Sequence, residues 1–93
     1  MQKNDFLQED FVLTEIKKIV SKLPGCFMAF ERIQRDHRLR EDVGLDSLSM
    51  VDLMVAIEDN FQIYFDPLQM DLDEAFKTIG SITDFVTMLR SKK

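Results

Sequence analysis

Ninety-three residues, 45% of them hydrophobic, are enough for one domain with a modest core and too apolar for a disordered chain. The net charge of −5 is unevenly spread: Glu41 to Phe76 holds ten acids and no Lys or Arg, while the rest holds seven acids and twelve bases, so that −10 and +5 give −5. This distribution excludes nucleic acid as a partner and favours proteins with basic patches. No apolar run is long enough to span a membrane, and Cys26, the sole cysteine, excludes an internal disulfide.

Residues 1–5 read as a loose N-terminal end without signal-peptide character, so the cytoplasm is the expected location. Asp5-Phe6-Leu7-Gln8 has the spacing of a capping box. Val12, Ile16, Ile19, Val20 and Leu23 then repeat at helical spacing, with Lys17, Lys18 and Lys22 towards the end that favours bases, until Pro24-Gly25 stops the helix. It carries no reactive group and reads as scaffold.

Residues 24–46 read as a long loop. Its apolar start, Cys26-Phe27-Met28-Ala29-Phe30, is expected to tuck against the core or form a short helix, with Cys26 an inert buried thiol. Arg32, Arg35, Arg38 and Arg40, with His37 among them, read first as a solvated basic loop. One histidine does not make a metal site, because ligands come in clusters.

Val43-Gly44-Leu45-Asp46-Ser47-Leu48 reads as a loop that ends where a helix begins. Gly44 interrupts what precedes it, and Asp46 and Ser47 both suit a helix start. Strong helix formers follow, with no Gly or Pro until Pro67. Ser47 is therefore expected at a helix mouth near the surface, a place that favours a phosphate; the plainer reading is a simple N-cap. Met50, Leu53, Met54, Ile57 and Phe61 form one apolar face for the core. Leu48, Val51 and Val55 fall on the opposite side among Asp52, Glu58 and Asp59. A helix buried on one face does not need a second apolar strip, and this one reads as a docking surface with an acidic rim.

After Phe61, Ile63, Tyr64 and Phe65 favour extended backbone, and Pro67 bars continuation of the helix. Asp71 to Phe76 predicts a short helix; its acids are too sparse for a calcium loop. Gly80-Ser81 predicts a last helix start, capped by Ser81 with Asp84, and Ile82, Phe85, Val86 and Leu89 give its apolar stripe. The expected fold is all-α, a small four-helix bundle of three main helices and one short one.

Gly44-Leu45-Asp46-Ser47-Leu48, followed by Val51-Asp52-Leu53 and Ala56-Ile57-Glu58-Asp59 up to Phe61, resembles the signature of acyl and peptidyl carrier proteins. The resemblance is close over Arg40 to Phe61 and extends to the rest by helix order. It implies a stand-alone monomeric carrier, not an enzyme, whose Ser47 takes a 4′-phosphopantetheine arm from coenzyme A through a phosphopantetheinyl transferase. Asp46 would help hold the transferase's Mg²⁺, a hard ion that prefers oxygen ligands. Leu48, Val51, Asp52, Val55, Glu58 and Asp59 would meet loading ligases or synthases with basic docking patches. The arm's thiol would carry acyl or aminoacyl groups for fatty-acid, polyketide, nonribosomal peptide or related biosynthesis. Contact of the basic loop with the phosphate of coenzyme A or of the arm is a second reading of those arginines. Ile63 to Ile82 is longer than in a typical fatty-acid carrier and is similar to D-alanyl and related aminoacyl carriers, which adenylating ligases load. The competing class is a carrier-like interaction module without an arm. A hydrolase built on Ser47 fails, because nothing orients the single histidine as its base.

Overall fold

In the computed structural model residues 3–91 are described, with side chains from residue 10 onward. Four α-helices follow in order: α1 Lys3–Ser21, α2 Ser47–Phe61, α3 Leu72–Ala75 and α4 Ile79–Ser91. Between α1 and α2 lies a 3₁₀ turn, Phe30–Arg32. Among the described residues the only extended pairing is a bridge between Arg38 and Thr78, so the all-α expectation holds.

Each long helix buries one stripe. Val12, Ile16 and Val20 of α1, Leu53, Ile57 and Phe61 of α2, and Ile79, Ile82 and Val86 of α4 are buried in a single core. Successive members of each stripe lie three or four residues apart, as one face of a 3.6-residue helix requires. Ile19, Leu23, Met50, Met54, Phe85 and Leu89 pack half-buried around them. At one junction of the three helices the guanidinium of Arg90 lies 5.5 Å from the ring centres of both Phe11 and Phe61, which themselves meet edge to face.

Several local expectations are corrected. α1 begins at Lys3, so Lys3 to Asp5 are helical instead of loose. The capping box of Asp5 and Gln8 rests on side chains outside the described residues. The last helix starts at Ile79, with Gly80 already inside its first turn. Its box is made by Thr78 and Ser81: the Ser81 N–H donates to Thr78 Oγ1 and the Thr78 N–H to Ser81 Oγ, both at 2.9 Å. Asp84 instead accepts from Arg35 Nη2 at 3.0 Å. Hydroxyls cap at either position, and spacing alone did not separate the two boxes.

Residues 24–46 have no α-helix and only the 3₁₀ turn, and this long loop also forms a wall of the core. Ile33, Leu39, Val43 and Leu45 are all buried. The apolar start of the segment contributes less: Cys26 and Met28 pack partly against the core, but Phe27 is 83% exposed. Cys26 donates weakly from Sγ to the Met28 carbonyl. Backbone bonds stitch the segment to the α3–α4 junction. Leu39 N–H donates to Lys77 O, Ile79 N–H to His37 O, and Gly80 N–H to Arg35 O at 2.8 Å. Within the segment Leu45 N–H donates to Leu39 O, and both Asp42 and Val43 N–H groups to Arg38 O. A buried loop needs these partners for its backbone polar groups. Gly80 is set by this contact, since a Cβ there would sit 3.1 Å from the Arg35 carbonyl oxygen.

Gly44 is set by its backbone, at φ +93°, and a Cβ there would also overlap the ring of Phe27. Because that ring is mostly in solvent and free to turn aside, the backbone strain dominates. Gly44→Ala is expected to lower unfolding stability in urea by about 1–2 kcal/mol, the cost of holding an L side chain at positive φ. Adding Phe27→Ala should recover little of it; full recovery would place the cost in the ring overlap.

Candidate functional site

The start of α2 is held from three sides. Asp46, extended at φ −93° and ψ −176°, is the N-cap, and its Oδ1 accepts from the Ser49 N–H at 2.9 Å. Ser49, 5% exposed, donates from Oγ to the Pro24 carbonyl at 2.7 Å and so fastens α2 to the turn that follows α1. Leu45 and Val43 plug the core just before the cap. Ser47 is thus the first helical residue, and the plain N-cap reading of it is corrected: the cap is Asp46. The Ser47 side chain is exposed and its Oγ accepts from Arg40 Nη2 at 3.1 Å.

Three of the loop's four arginines have separate partners. Arg38 closes a fork on Asp42, Nε to Oδ2 at 3.1 Å and Nη2 to Oδ1 at 3.2 Å, while its N–H donates to Oδ2 at 2.8 Å. Arg35 pairs with Asp84, and Arg40 reaches the serine. The solvated-loop reading is therefore incomplete. His37 Nδ1 accepts from the Gln34 N–H at 3.0 Å and serves a turn.

Downstream of the serine, Leu48, Val51 and Val55 are 73%, 53% and 57% exposed, and Asp52 and Asp59 are exposed with them. Glu58 differs from its neighbours: it is half-buried, and its Oε2 accepts from the Phe65 N–H at 2.9 Å, holding the chain after α2. Beside this face a groove of about 320 Å³ opens between α2 and α3, lined by Met50, Val51 and Met54, by Leu72 and Phe76, and by a mixed charged set of Arg40, Glu41, Asp73 and Lys77. Sequence spacing marked the α2 strip but gave no sign of the groove, whose other wall comes from residues remote in the chain.

The comparisons fit this geometry. Residues 14–86 match the family profile described as the phosphopantetheine attachment site. The chain belongs to the phosphopantetheine-attachment family. It is 29% identical over 80 residues to acyl carrier protein 3 of Ralstonia nicotianae, covering 86% of this chain and 83% of that protein. It is 35% identical over 73 residues to the acyl carrier protein of Saccharopolyspora erythraea, covering 78% and 72%. Among solved structures it resembles a chain in the crystal structure of an engineered Bradyrhizobium japonicum glycine:[carrier protein] ligase complexed with a carrier protein from Agrobacterium tumefaciens and ATP. That match has a TM-score of 0.71 and 27% identity over 83% of this chain and 97% of the other. As a phosphopantetheine-attachment protein the chain takes that group covalently and acts as a carrier; the arm-free interaction module is not favoured. No helix among the described residues is long and apolar enough to cross a membrane.

Two carboxyl groups near the serine are held below the usual carboxylate range. Asp46 is lowered chiefly by the Ser49 backbone N–H it accepts, and Asp42 chiefly by the hydrogen bonds from Arg38. Because the folded values are depressed, the unfolded chain binds more protons near these pKa values. The stabilisation is therefore complete above the unfolded value of about 3.9 and is lost as pH falls through the lower folded values. Urea titrations should show stability falling below about pH 4, and the paired variant Asp42→Asn, Asp46→Asn should flatten that fall. An unchanged slope would remove both groups from the acid response.

Proposed function

We propose that Ser47 is the attachment residue and that the chain carries acyl or aminoacyl groups as thioesters between partner enzymes. The observation that carries this reading is the placement of Ser47: an exposed hydroxyl on the first turn of α2, relieved of capping by Asp46, in the Asp-Ser-Leu setting inside the matched span. The residues fit the group. A phosphodiester at this point meets a helix N-terminus and the Arg40 guanidinium, both favourable to an anion. The hydroxyl oxygen accepts from Arg40, which leaves its own proton for removal.

In the attachment step Ser47 Oγ forms a bond to the phosphorus next to the pantetheine of coenzyme A. The pyrophosphate P–O bond breaks, the nucleotide half leaves, and the serine proton passes to a base of a phosphopantetheinyl transferase. Asp46, adjacent and exposed, would help hold the Mg²⁺ of that complex, a hard ion suited to carboxylate oxygen. The group, once bound, supplies a flexible arm ending in a thiol that holds cargo as a thioester. Loading by an adenylating ligase is supported by the ligase found with the similar carrier chain, in keeping with the aminoacyl-like stretch Ile63 to Ile82.

Leu48, Val51 and Val55 supply apolar contact to partners, and Asp52 and Asp59 steer basic surfaces towards the serine. Glu58 belongs to the same rim but is tied to Phe65, so a charge reversal there would disturb the fold as well as docking.

Intact mass after incubation with a broad-specificity transferase and coenzyme A tests the attachment. The wild type should gain one phosphopantetheine and Ser47→Ala none, while unfolding stability changes by less than about 0.5 kcal/mol because no cap is lost. A mass gain on Ser47→Ala would move the site elsewhere. The paired variant Asp52→Lys, Asp59→Lys should slow loading several-fold at low salt and flatten its salt dependence. Identical rates at every salt concentration would sink the steering role.

A further inference from the structure

We propose that Arg40 is the phosphate-binding side chain of the loaded protein, its guanidinium moving from the Ser47 hydroxyl to the phosphodiester formed there. The inference rests on Ser47 being the attachment residue. Three observations carry it. First, Arg40 Nη2 already lies 3.1 Å from Ser47 Oγ, and the non-bridging oxygens of a phosphodiester sit on the atom next to Oγ. A small side-chain rotation brings the guanidinium onto them, and its planar fork matches two phosphate oxygens at once.

Second, the neighbouring arginines that share the loop are engaged elsewhere, Arg35 by Asp84 and Arg38 by the two oxygens of Asp42. Arg40 is the one directed at the serine. Third, the local charge calls for such a partner. A phosphodiester adds a negative charge beside Asp46 and close in sequence to Glu41 and Asp42, at the edge of a stretch with no Lys or Arg from Glu41 to Phe76. Like charges at short range oppose one another, and the cation at position 40 offsets that repulsion. Because Arg40 also lines the rim of the groove between α2 and α3, the pairing holds the root of the arm on that side of α2.

The test uses the full chain, loaded to completion and verified by intact mass, as wild type, Arg40→Lys and Arg40→Ala, with Ser47→Ala as control. The ³¹P resonance of each loaded protein is compared with its own position in denaturing urea. Arg40→Ala should lose most of the native-minus-denatured difference and Arg40→Lys should keep part of it. In wild type, solvent exchange of the Arg40 Nε–H should slow several-fold on loading, a measurement that needs no variant. A wild type that loads but shows the same ³¹P difference in Arg40→Ala, or no slowing at Nε, overturns the pairing and leaves attachment intact. A wild type that gains no mass, or a Ser47→Ala protein that does, overturns attachment and the pairing with it.

Discussion

The site depends on one hydrogen bond, from the Ser49 N–H to Asp46 Oδ1. It closes the open end of α2 with the residue before the serine, so the serine hydroxyl is not needed for that purpose. The buried Ser49 side chain, bonded to Pro24, then ties the start of α2 to the turn that follows α1. Three consecutive positions thus divide the labour: Asp46 caps, Ser47 stays exposed, and Leu48 begins the apolar strip. A single alanine at any one of them would disturb a different property.

Much of this was legible in the sequence, because it depends on local chemistry. The core stripes of α1, α2 and α4 follow from periodicity, and the exposed Leu48, Val51 and Val55 follow from being on the wrong side of such a stripe. The short α3 was visible in the run from Asp71 to Phe76, and the structure adds that Asp71 caps it by accepting from the Glu74 N–H. What was not legible depends on contacts across the chain. Leu39, Val43 and Leu45 carry no period, since a segment of turns has none, yet they are buried because backbone bonds to Lys77 and its neighbours pull the segment onto the core. The role of Glu58 was hidden for the same reason: on a helical wheel it is a rim acid, and only the return of the chain at Phe65 makes it a backbone acceptor. Arg40 stood among four arginines, and spacing gave no means of telling which one the turn at Asp42 would aim at the serine.

The charge pattern has two scales. Over the stretch from Glu41 to Phe76 the excess of acids is long-ranged and would favour encounter with basic surfaces. At the serine itself the pattern reverses locally, with a guanidinium against the hydroxyl. An anion placed at that point is thus received by a cation inside a surface that would otherwise oppose it. The fork of Arg38 on Asp42 shapes the turn that makes this possible, since it sets the path of the chain between the two arginines.

The stitched segment from Arg35 to Leu45 has a mechanical consequence. Its amides are bonded to the α3–α4 junction and to one another, so the platform beneath the serine is part of the folded body. If Ser47 is the attachment residue as proposed, partners would meet a stationary pivot, and whatever swings would do so beyond the oxygen of Ser47. With an arm attached there, and its root held by Arg40 as proposed, the volume a cargo sweeps would be the part of a sphere around that atom that lies on the groove side of α2, with a radius set by the tether. An enzyme that works on the cargo must bring the mouth of its tunnel inside that radius, because the carrier's backbone contributes no further reach.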